Sequence, residues 1–554
     1  MDEGTSLRKS AILVLTVQTL FGADTLDRLH KLMQQTDRTM ESMRKVMTQA
    51  MNHSAAGSTY KSRFLFTAIP KKWYSRLNSR VYAGMLQKIA DECVELFNSG
   101  IVIFGQKYYM VCLGLKADQP AQAKAGNFTR SFANLGQNKG CCFECLAGLN
   151  AYPFEEVSAQ PAWLATLHAQ VPWNQASPLV QIPHKPFQSE TFFLKDPFHI
   201  FKQTMGGHFV ASCLILMVDL QFYFEATNNS VENILDRLYA DFNFWVKHEW
   251  RGLVRPNIKR FTRQILHFPN NYSFPFGRFK GSDTMLLVRW LKHLMNNGCV
   301  FENDITRPGV PLFGRGQPHS ELMHLVSDAC SGVLVFFHLL HSSGLWLEPN
   351  TSSRMAQGCF TFCSDYPKLA ASTFRLQLCR FHLEPSLHHF LHFYFELRFA
   401  SGPILNPAAH SCEADEDFIG KVARLSRCVH PSSVTLRVIQ RMLIKYWFEY
   451  EGCEGNWKRM QLQSKLRVAD WGPTKVSTLS RLQIQLGCVA GPWVNIPLKI
   501  NGIDTTGGWC HFMLMIIIPI FWWSFRTFYN VSFCWWFSIM TVIITSDHYH
   551  VRYH

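Results

Sequence analysis

Cys142-Phe143-Glu144-Cys145 follows a turn at Gly140. Two thiolates at this C-x-x-C spacing can grip one Zn²⁺ through a tight knuckle, but a closed tetrahedral site needs two further ligands. No second C-x-x-C and no histidine pair follows at zinc-finger spacing, and His168 and His184 are the nearby candidates. Two packed or redox-idle thiols are the competing reading. A second cluster lies between Phe381 and Glu396. There His388, His392 and Glu396 fall at i, i+4 and i+8, one row of a helix that can bind a divalent ion. With 23 His in the chain and aromatic neighbours on every side, partly buried histidines explain this row more simply.

Metal-dependent chemistry on phosphodiesters uses two or three carboxylates converging on divalent cations. Asp118 stands at the exit of a strand pattern before Pro120, and Asp196 opens a helix pattern in Asp196-Pro197-Phe198-His199. Glu416 and Asp417 belong to an acidic knot with Glu413 and Asp415, directly ahead of a basic helix. Helix capping accounts for Asp196 and Asp417 without any catalysis. The chain has no Walker loop, no G-x-G-x-x-G after a strand, no G-x-S-x-G and no H-E-x-x-H, so nucleotide hydrolysis and dinucleotide redox chemistry have no support. Basic side chains recur as Arg251, Arg255, Lys259, Arg260 and Arg263, and again as Arg437, Arg441 and Lys445, four apart on one helix face. Such a face suits phosphate contact with little sequence preference, or is simply a solvated surface.

The elements that must position these residues belong to a chain of 554 residues, long enough for several domains. Hydrophobic residues make up 47% and charged residues 17%, which excludes a disordered chain. The net charge of +15 favours a polyanionic partner, either DNA or an anionic membrane. Seventeen Cys without regular spacing favour a reducing compartment, and no signal-peptide pattern opens the chain.

Residues 1–56 read as an amphipathic helical region. Leu26, Leu29, Met33, Met40, Met43 and Met47 form a short a/d seam suited to self-association or to packing on the chain's own domain. Residues 57–300 read as mixed α/β, with a helix over 80–98, a hairpin over 101–115 and a long Pro-rich crossing over 150–195. Residues 301–450 read as mainly helical. The tail, 451–554, carries two uncharged runs, 505–525 and 527–546, each of membrane-spanning length and edged with Trp and Tyr. Buried apolar helices, or a non-native extension, are the alternatives.

The order of motifs resembles the core of CACTA-type (En/Spm) DDE transposases. Ala68-Ile69-Pro70 leads in, and Lys116-Ala117-Asp118-Gln119-Pro120-Ala121 closes a hydrophobic hairpin. The Cys142/Cys145 knuckle, a Pro-rich loop and Asp196-Pro197-Phe198-His199 then follow. Gly126-Asn127-Phe128-Thr129-Arg130-Ser131-Phe132 and Glu416-Asp417-Phe418-Ile419-Gly420-Lys421 bring the chain closer to the transposon-related multicopy reading frames of dinoflagellate-type genomes. The resemblance spans about residues 60–445. It implies a degenerate ribonuclease-H-like α/β core, to which the sequence pattern adds large α-helical additions and a C-terminal apolar helical tail. It implies Asp118 as a metal-binding carboxylate, Asp196 with His199 as the D-x-x-H element, and Glu416 or Asp417 as the last acid. Mg²⁺ or Mn²⁺ would serve the carboxylates, and Zn²⁺ would sit at Cys142 and Cys145.

Two departures stand out. The knuckle lacks the family's Pro, and residues 1–59 offer no strand-borne aspartate for the first catalytic position. The expectation is therefore a truncated relative without strand-transfer activity. It would still bind DNA in the nucleus through Arg255, Lys259, Arg260, Arg263, Arg437, Arg441 and Lys445. The alternative is a membrane-anchored protein held by residues 505–546.

Overall fold

The computed structural model describes residues 12–19, 59–70, 79–103, 106–134, 138–185, 187–220, 230–252, 254–296, 320–400, 404–430, 433–450, 499–500, 503–504 and 536–545. The chain is mixed α/β. Strand β1 (Ile12–Thr19) pairs antiparallel with β2 (Arg63–Pro70). Helix α1 (Ser79–Asn98) buries Tyr82, Leu86, Ile89, Ala90 and Cys93, spaced as one helical stripe, and stops at Gly100, whose φ of 64° only glycine adopts without strain. The chain returns as the hairpin β3 (Ile101–Ile103) and β4 (Gln106–Lys116). Asp118 then caps α2 (Gln119–Gly126), accepting the Ala121 N–H at 2.8 Å.

The Pro-rich crossing is irregular, as its composition predicts, and ends in β5 (Phe193–Leu194), which runs parallel to the last residues of β4. Helices follow: α3 (Gly206–Asp219), entered through a wider helical turn at Phe198–Met205, then α4 (Val231–His248), α5 (Gly281–Leu294) and α6 (Ser320–Ser342). The short pair β6 (Trp346–Leu347) and β7 (Ile404–Leu405) brackets α7 (Pro349–Arg375) and α8 (Pro385–Phe399). Helices α9 (Glu413–Ser426) and α10 (Val434–Tyr450) then pack on β1 and β2 through Phe418, Val422, Val438 and Met442. A small ribbon, β8 (Lys499–Ile500) with β9 (Ile503–Asp504), precedes β10 (Trp536–Thr545). The main sheet has the order β2-β1-β10-β4-β3, with β5 added to β4. The largest core lies among α3, α5, α6, α7 and α8 and includes Cys142, Cys145 and Trp163. Helices α6 and α7 approach so closely that a Cβ on Gly332 would lie 2.6 Å from the Gly358 carbonyl oxygen, and the reverse holds equally.

Two expectations need correction. Within 1–56 the described segment is a strand, because Ile12–Thr19 alternates across a sheet that buries Leu13 and Leu15 on one core and Val14 on another. The a/d seam from Leu26 to Met47 lies outside the described residues. Within the 527–546 run, residues 536–545 form β10 rather than a helix, pairing with β1 and β4. Thr541, Val542, Ile543, Ile544 and Thr545 are all β-branched, and such side chains favour the pleated surface. The 505–525 run lies outside the described residues. Elsewhere, Phe198–Asp219 and Glu321–Ser342 are long and apolar enough to cross a membrane, yet 89% and 61% of their apolar windows are buried inside the protein.

Candidate metal centre and carboxylate centre

The knuckle is a tight backbone loop. The Cys141 N–H donates to the Ala147 carbonyl at 2.8 Å, and Gly140 and Gly148 supply the left-handed turns, at φ 78° and 90°. Arg130 reaches in from outside, its Nε donating to the Cys142 carbonyl at 3.1 Å and its Nη2 to that of Phe143 at 3.3 Å. Helix α8 supplies the other half. Cys142 Sγ lies 3.5 Å from His392 Nε2, Cys145 Sγ lies 3.2 Å from His388 Nε2, and the two Nε2 atoms are 2.9 Å apart. All four side chains are buried, their donor atoms lie within 4.8 Å of one another, and together they could hold one metal ion. Trp163 walls the site, edge-on to His388 and stacked on His392.

Burial opposes a thiolate at Cys142, but the Cys145 hydrogen bond and the nearby His392 and His388 outweigh it, holding its pKa well below the usual thiol range. Cys145 is pushed well up by burial and by Cys142 itself. Behind His392, Glu144 Oε2 lies 3.0 Å from Nδ1, which fixes the ring so that Nε2 faces the sulfurs. Burial would raise the Glu144 carboxyl, but Lys195 and His392 together hold it at about 2. Lys195 Nζ bridges Glu144 and Glu396. Glu396, the third member of the predicted histidine row, thus anchors Lys195 instead of completing that row as a ligand set. His168 and His184 stand apart from the sulfurs: His168 pairs with Glu190, and His184 Nδ1 donates to the Ile182 carbonyl at 2.6 Å.

Next to Lys195 the second centre begins. Asp118 leaves the end of β4 and Asp196 the end of β5, two neighbouring parallel strands. Asp196 Oδ1 accepts the Phe198 N–H at 2.8 Å and the Cys412 N–H at 3.0 Å, while Oδ2 pairs with His199 Nδ1. His199 Nε2 lies 3.2 Å from Glu416 Oε1 on α9. Burial would lower the His199 pKa, but Asp196 and Glu416 raise it to about 10. Asp118 feels the charges of the same group. Burial raises its pKa, and Asp196 and Glu416 add to this against the Ala121 amide and His199. Asp196 and Glu416 therefore meet at His199, while Asp118 caps α2 nearby. Asp417 does not join them; it pairs with Lys421 at 2.6 Å and accepts from Thr59.

A buried ion cluster brings Glu416 to this place. Lys116, two residues before Asp118, contacts Asp415 at 2.7 Å and donates to the Ser411 carbonyl at 2.8 Å. Arg63 on β2 holds the other oxygen of Asp415 at 3.4 Å. Sequence reading placed Asp415 only in an acidic knot; its role as the anchor of α9 depends on Lys116 and Arg63, hundreds of residues away.

The basic residues divide. Arg260 and Arg263 pair with Asp236 and Glu232 of α4 at 2.6 and 2.8 Å, whereas Arg255 and Lys259 are exposed. On α10, Arg437 and Arg441 are exposed, Arg441 donates to the Cys428 carbonyl at 3.1 Å, and Lys445 donates to the Tyr60 hydroxyl at 3.1 Å. No protein-family model matches the chain, and neither a curated protein nor a solved structure matches it.

Proposed function

We propose that the chain is a transposase-derived nucleic-acid-binding protein whose Asp118, Asp196 and Glu416 hold a divalent cation for phosphodiester chemistry, beside a structural Zn²⁺ centre. The meeting of Asp196 and Glu416 at His199, with Asp118 at the end of the neighbouring parallel strand, carries the reading. The Asp118 pKa is raised chiefly by burial, to which the negative charges of Asp196 and Glu416 add. A hard, oxygen-rich donor set suits Mg²⁺ or Mn²⁺. Held by Asp118, Asp196 and Glu416, such a cation would supply charge stabilisation at phosphoryl oxygens and lower the pKa of a bound water. The chain's own residues do the rest. Backbone amides orient Asp196, Lys116 and Arg63 fix α9, and His199 neutralises part of the centre. Strand transfer itself is not expected, because β1, the described strand within residues 1–59, carries no aspartate for the first catalytic position.

For the metal centre, two sulfurs and two imidazole nitrogens around one Zn²⁺ should lie about 3.5 Å apart, given bonds of about 2.3 and 2.0 Å. The observed sulfur–nitrogen distances of 3.2, 3.5 and 3.7 Å fit that set, and the 2.9 Å between the two imidazole nitrogens is shorter than it. Partnership with DNA rests on the +15 charge and on the exposed Arg255, Lys259, Arg437 and Arg441. Nuclear localisation follows from that partner; the membrane alternative keeps only the 505–525 run.

The test is Mg²⁺- or Mn²⁺-dependent nicking of supercoiled DNA by the full chain, beside Asp118→Ala and Asp196→Asn. Metal-dependent nicking that both substitutions abolish supports the reading. Equal activity in all three proteins refutes the carboxylate assignment. Salt-sensitive DNA binding without nicking would favour the non-catalytic form of the same proposal, in which His199 keeps Asp196 and Glu416 closed to the cation.

A further inference from the structure

Away from both centres, His208 near the start of α3 meets His382 and Glu384 in the turn before α8. His208 Nε2 and His382 Nδ1 both lie 3.1 Å from the same oxygen, Glu384 Oε1. The turn is held in place from several sides. Arg380 makes a two-pronged pair with Asp219 at 2.9 and 3.0 Å, the Phe381 N–H donates to Ser212 Oγ at 2.9 Å, and the buried Tyr366 hydroxyl donates to the His382 carbonyl at 3.0 Å. Phe276 lies against the His208 ring and Phe274 stacks on that of His382, each with centroids 4.6 Å apart.

The tautomer of His208 is decided by its other nitrogen. Nδ1 lies 3.2 Å from the Pro275 carbonyl oxygen, which can only accept, so Nδ1 carries the proton. In the neutral ring Nε2 is then a lone pair aimed at a carboxylate oxygen, an arrangement that calls for a positive species between them. Either His208 is an imidazolium or a metal ion joins the three side chains. Two ligands bonded at about 2.05 Å and subtending about 100° lie about 3.1 Å apart, the separation seen on both sides of Glu384 Oε1. His208 and Glu384 are largely enclosed, while the His382 side chain keeps 39% of its surface exposed.

We propose that His208, His382 and Glu384 form a second, solvent-open transition-metal site, of the two-histidine, one-carboxylate kind that suits Zn²⁺. The site goes beyond the nucleic-acid reading and shares no residue with the Cys142–His392 centre or with the carboxylate centre. It has three protein ligands, His208 on α3 and two on the held turn, and an open position towards solvent, so it exchanges its ion more readily than the buried thiolate centre.

The experiment is the zinc content of the full chain by mass spectrometry after equilibration with micromolar Zn²⁺ and gel filtration. Wild type, His382→Ala, Glu384→Gln and Cys145→Ser are compared, each also in an Asp118→Ala background to silence binding at the carboxylates. His382→Ala and Glu384→Gln should each lose one equivalent in both backgrounds, separately from the equivalent lost by Cys145→Ser. Loading with Co²⁺ should give a visible spectrum in Cys142→Ser/Cys145→Ser that lacks thiolate charge-transfer bands and vanishes when His382→Ala is added. Unchanged zinc in His382→Ala and Glu384→Gln, with folded far-ultraviolet spectra, would mean an ordinary His–Glu–His ion pair and overturn the proposal. Failure of the DNA-nicking test leaves this outcome untouched.

Discussion

Replacing Asp415 by Asn removes the one carboxylate that Lys116 and Arg63 share. Lys116, at 0% side-chain exposure, and Arg63, at 1%, then face each other across an amide. Two like charges about 5 Å apart at an effective dielectric of about 20 repel by roughly 3 kcal/mol. Breaking a buried pair from one side generally costs about 3–5 kcal/mol, so the two figures agree. Lys116→Met is the milder change, since Arg63 and Asp415 still neutralise one another. Its cost is the bond to the Ser411 carbonyl, about 1–3 kcal/mol for a buried acceptor left without its donor. The double variant Lys116→Met/Asp415→Asn should be more stable than Asp415→Asn alone, because removing one cation ends the repulsion. The assay is urea denaturation of the four full-length proteins followed by circular dichroism, read as a double-mutant cycle. DNA nicking is measured in parallel, since Asp415 carries α9 and with it Glu416. Equal costs for the two single variants, or strict additivity in the double, would refute the claim that Asp415 serves both cations.

Further outcomes follow from the same geometry. Glu144→Gln keeps an acceptor for His392 Nδ1 but removes the charge behind the ring, so zinc affinity should fall about 10–100-fold in a chelator competition, with one equivalent still bound at saturation. His410 has its Nδ1 buried with no hydrogen-bond partner, and burial, with Lys195 and Lys116 nearby, pushes its pKa down to about 3. The unfolded chain therefore takes up this proton first, and stability should be full above about pH 6.5 and decline as pH falls towards 3. His410→Leu should flatten that part of the urea-midpoint profile between pH 7 and 4 relative to wild type. Gly358→Val should cost several kcal/mol by forcing α6 and α7 apart, where a Cβ already meets the Gly332 carbonyl at 2.6 Å; a thermal melt that does not shift would contradict so close an approach.

Much of the framework could be read from local pattern. The stripe that makes α1, the hairpin of β3 and β4, and the helices α4, α6, α8, α9 and α10 all follow from periodicity, capping and turn chemistry within a few residues. Both halves of the metal centre were legible too, the knuckle as C-x-x-C and the histidines as an i, i+4 row. Their union was not, because 250 residues separate Cys142 from His392 and no spacing rule reaches that far. The abundance of histidine favoured the plainer reading, and burial beside two sulfurs leaves the row able to hold a metal. For the carboxylates the local signal was nearly empty. Asp118 caps a helix, and Asp196 accepts amide bonds like any cap.

What separates these two aspartates from ordinary caps is register. Because β5 runs parallel to β4, with Lys116 opposite Leu194, the two acids leave the sheet at the same edge. The cluster of Lys116, Asp415 and Arg63 then places Glu416 over that edge. The strand at residues 536–545 shows the opposite failure. An uncharged run reads alike whether it meets lipid or the middle of a sheet, and only its β-branched residues lean towards the second. Chemistry in this chain is thus assembled by long-range pairing. The residue that reveals it best is Lys195, whose neighbour in sequence is Asp196 and whose partner in space is Glu144, behind His392.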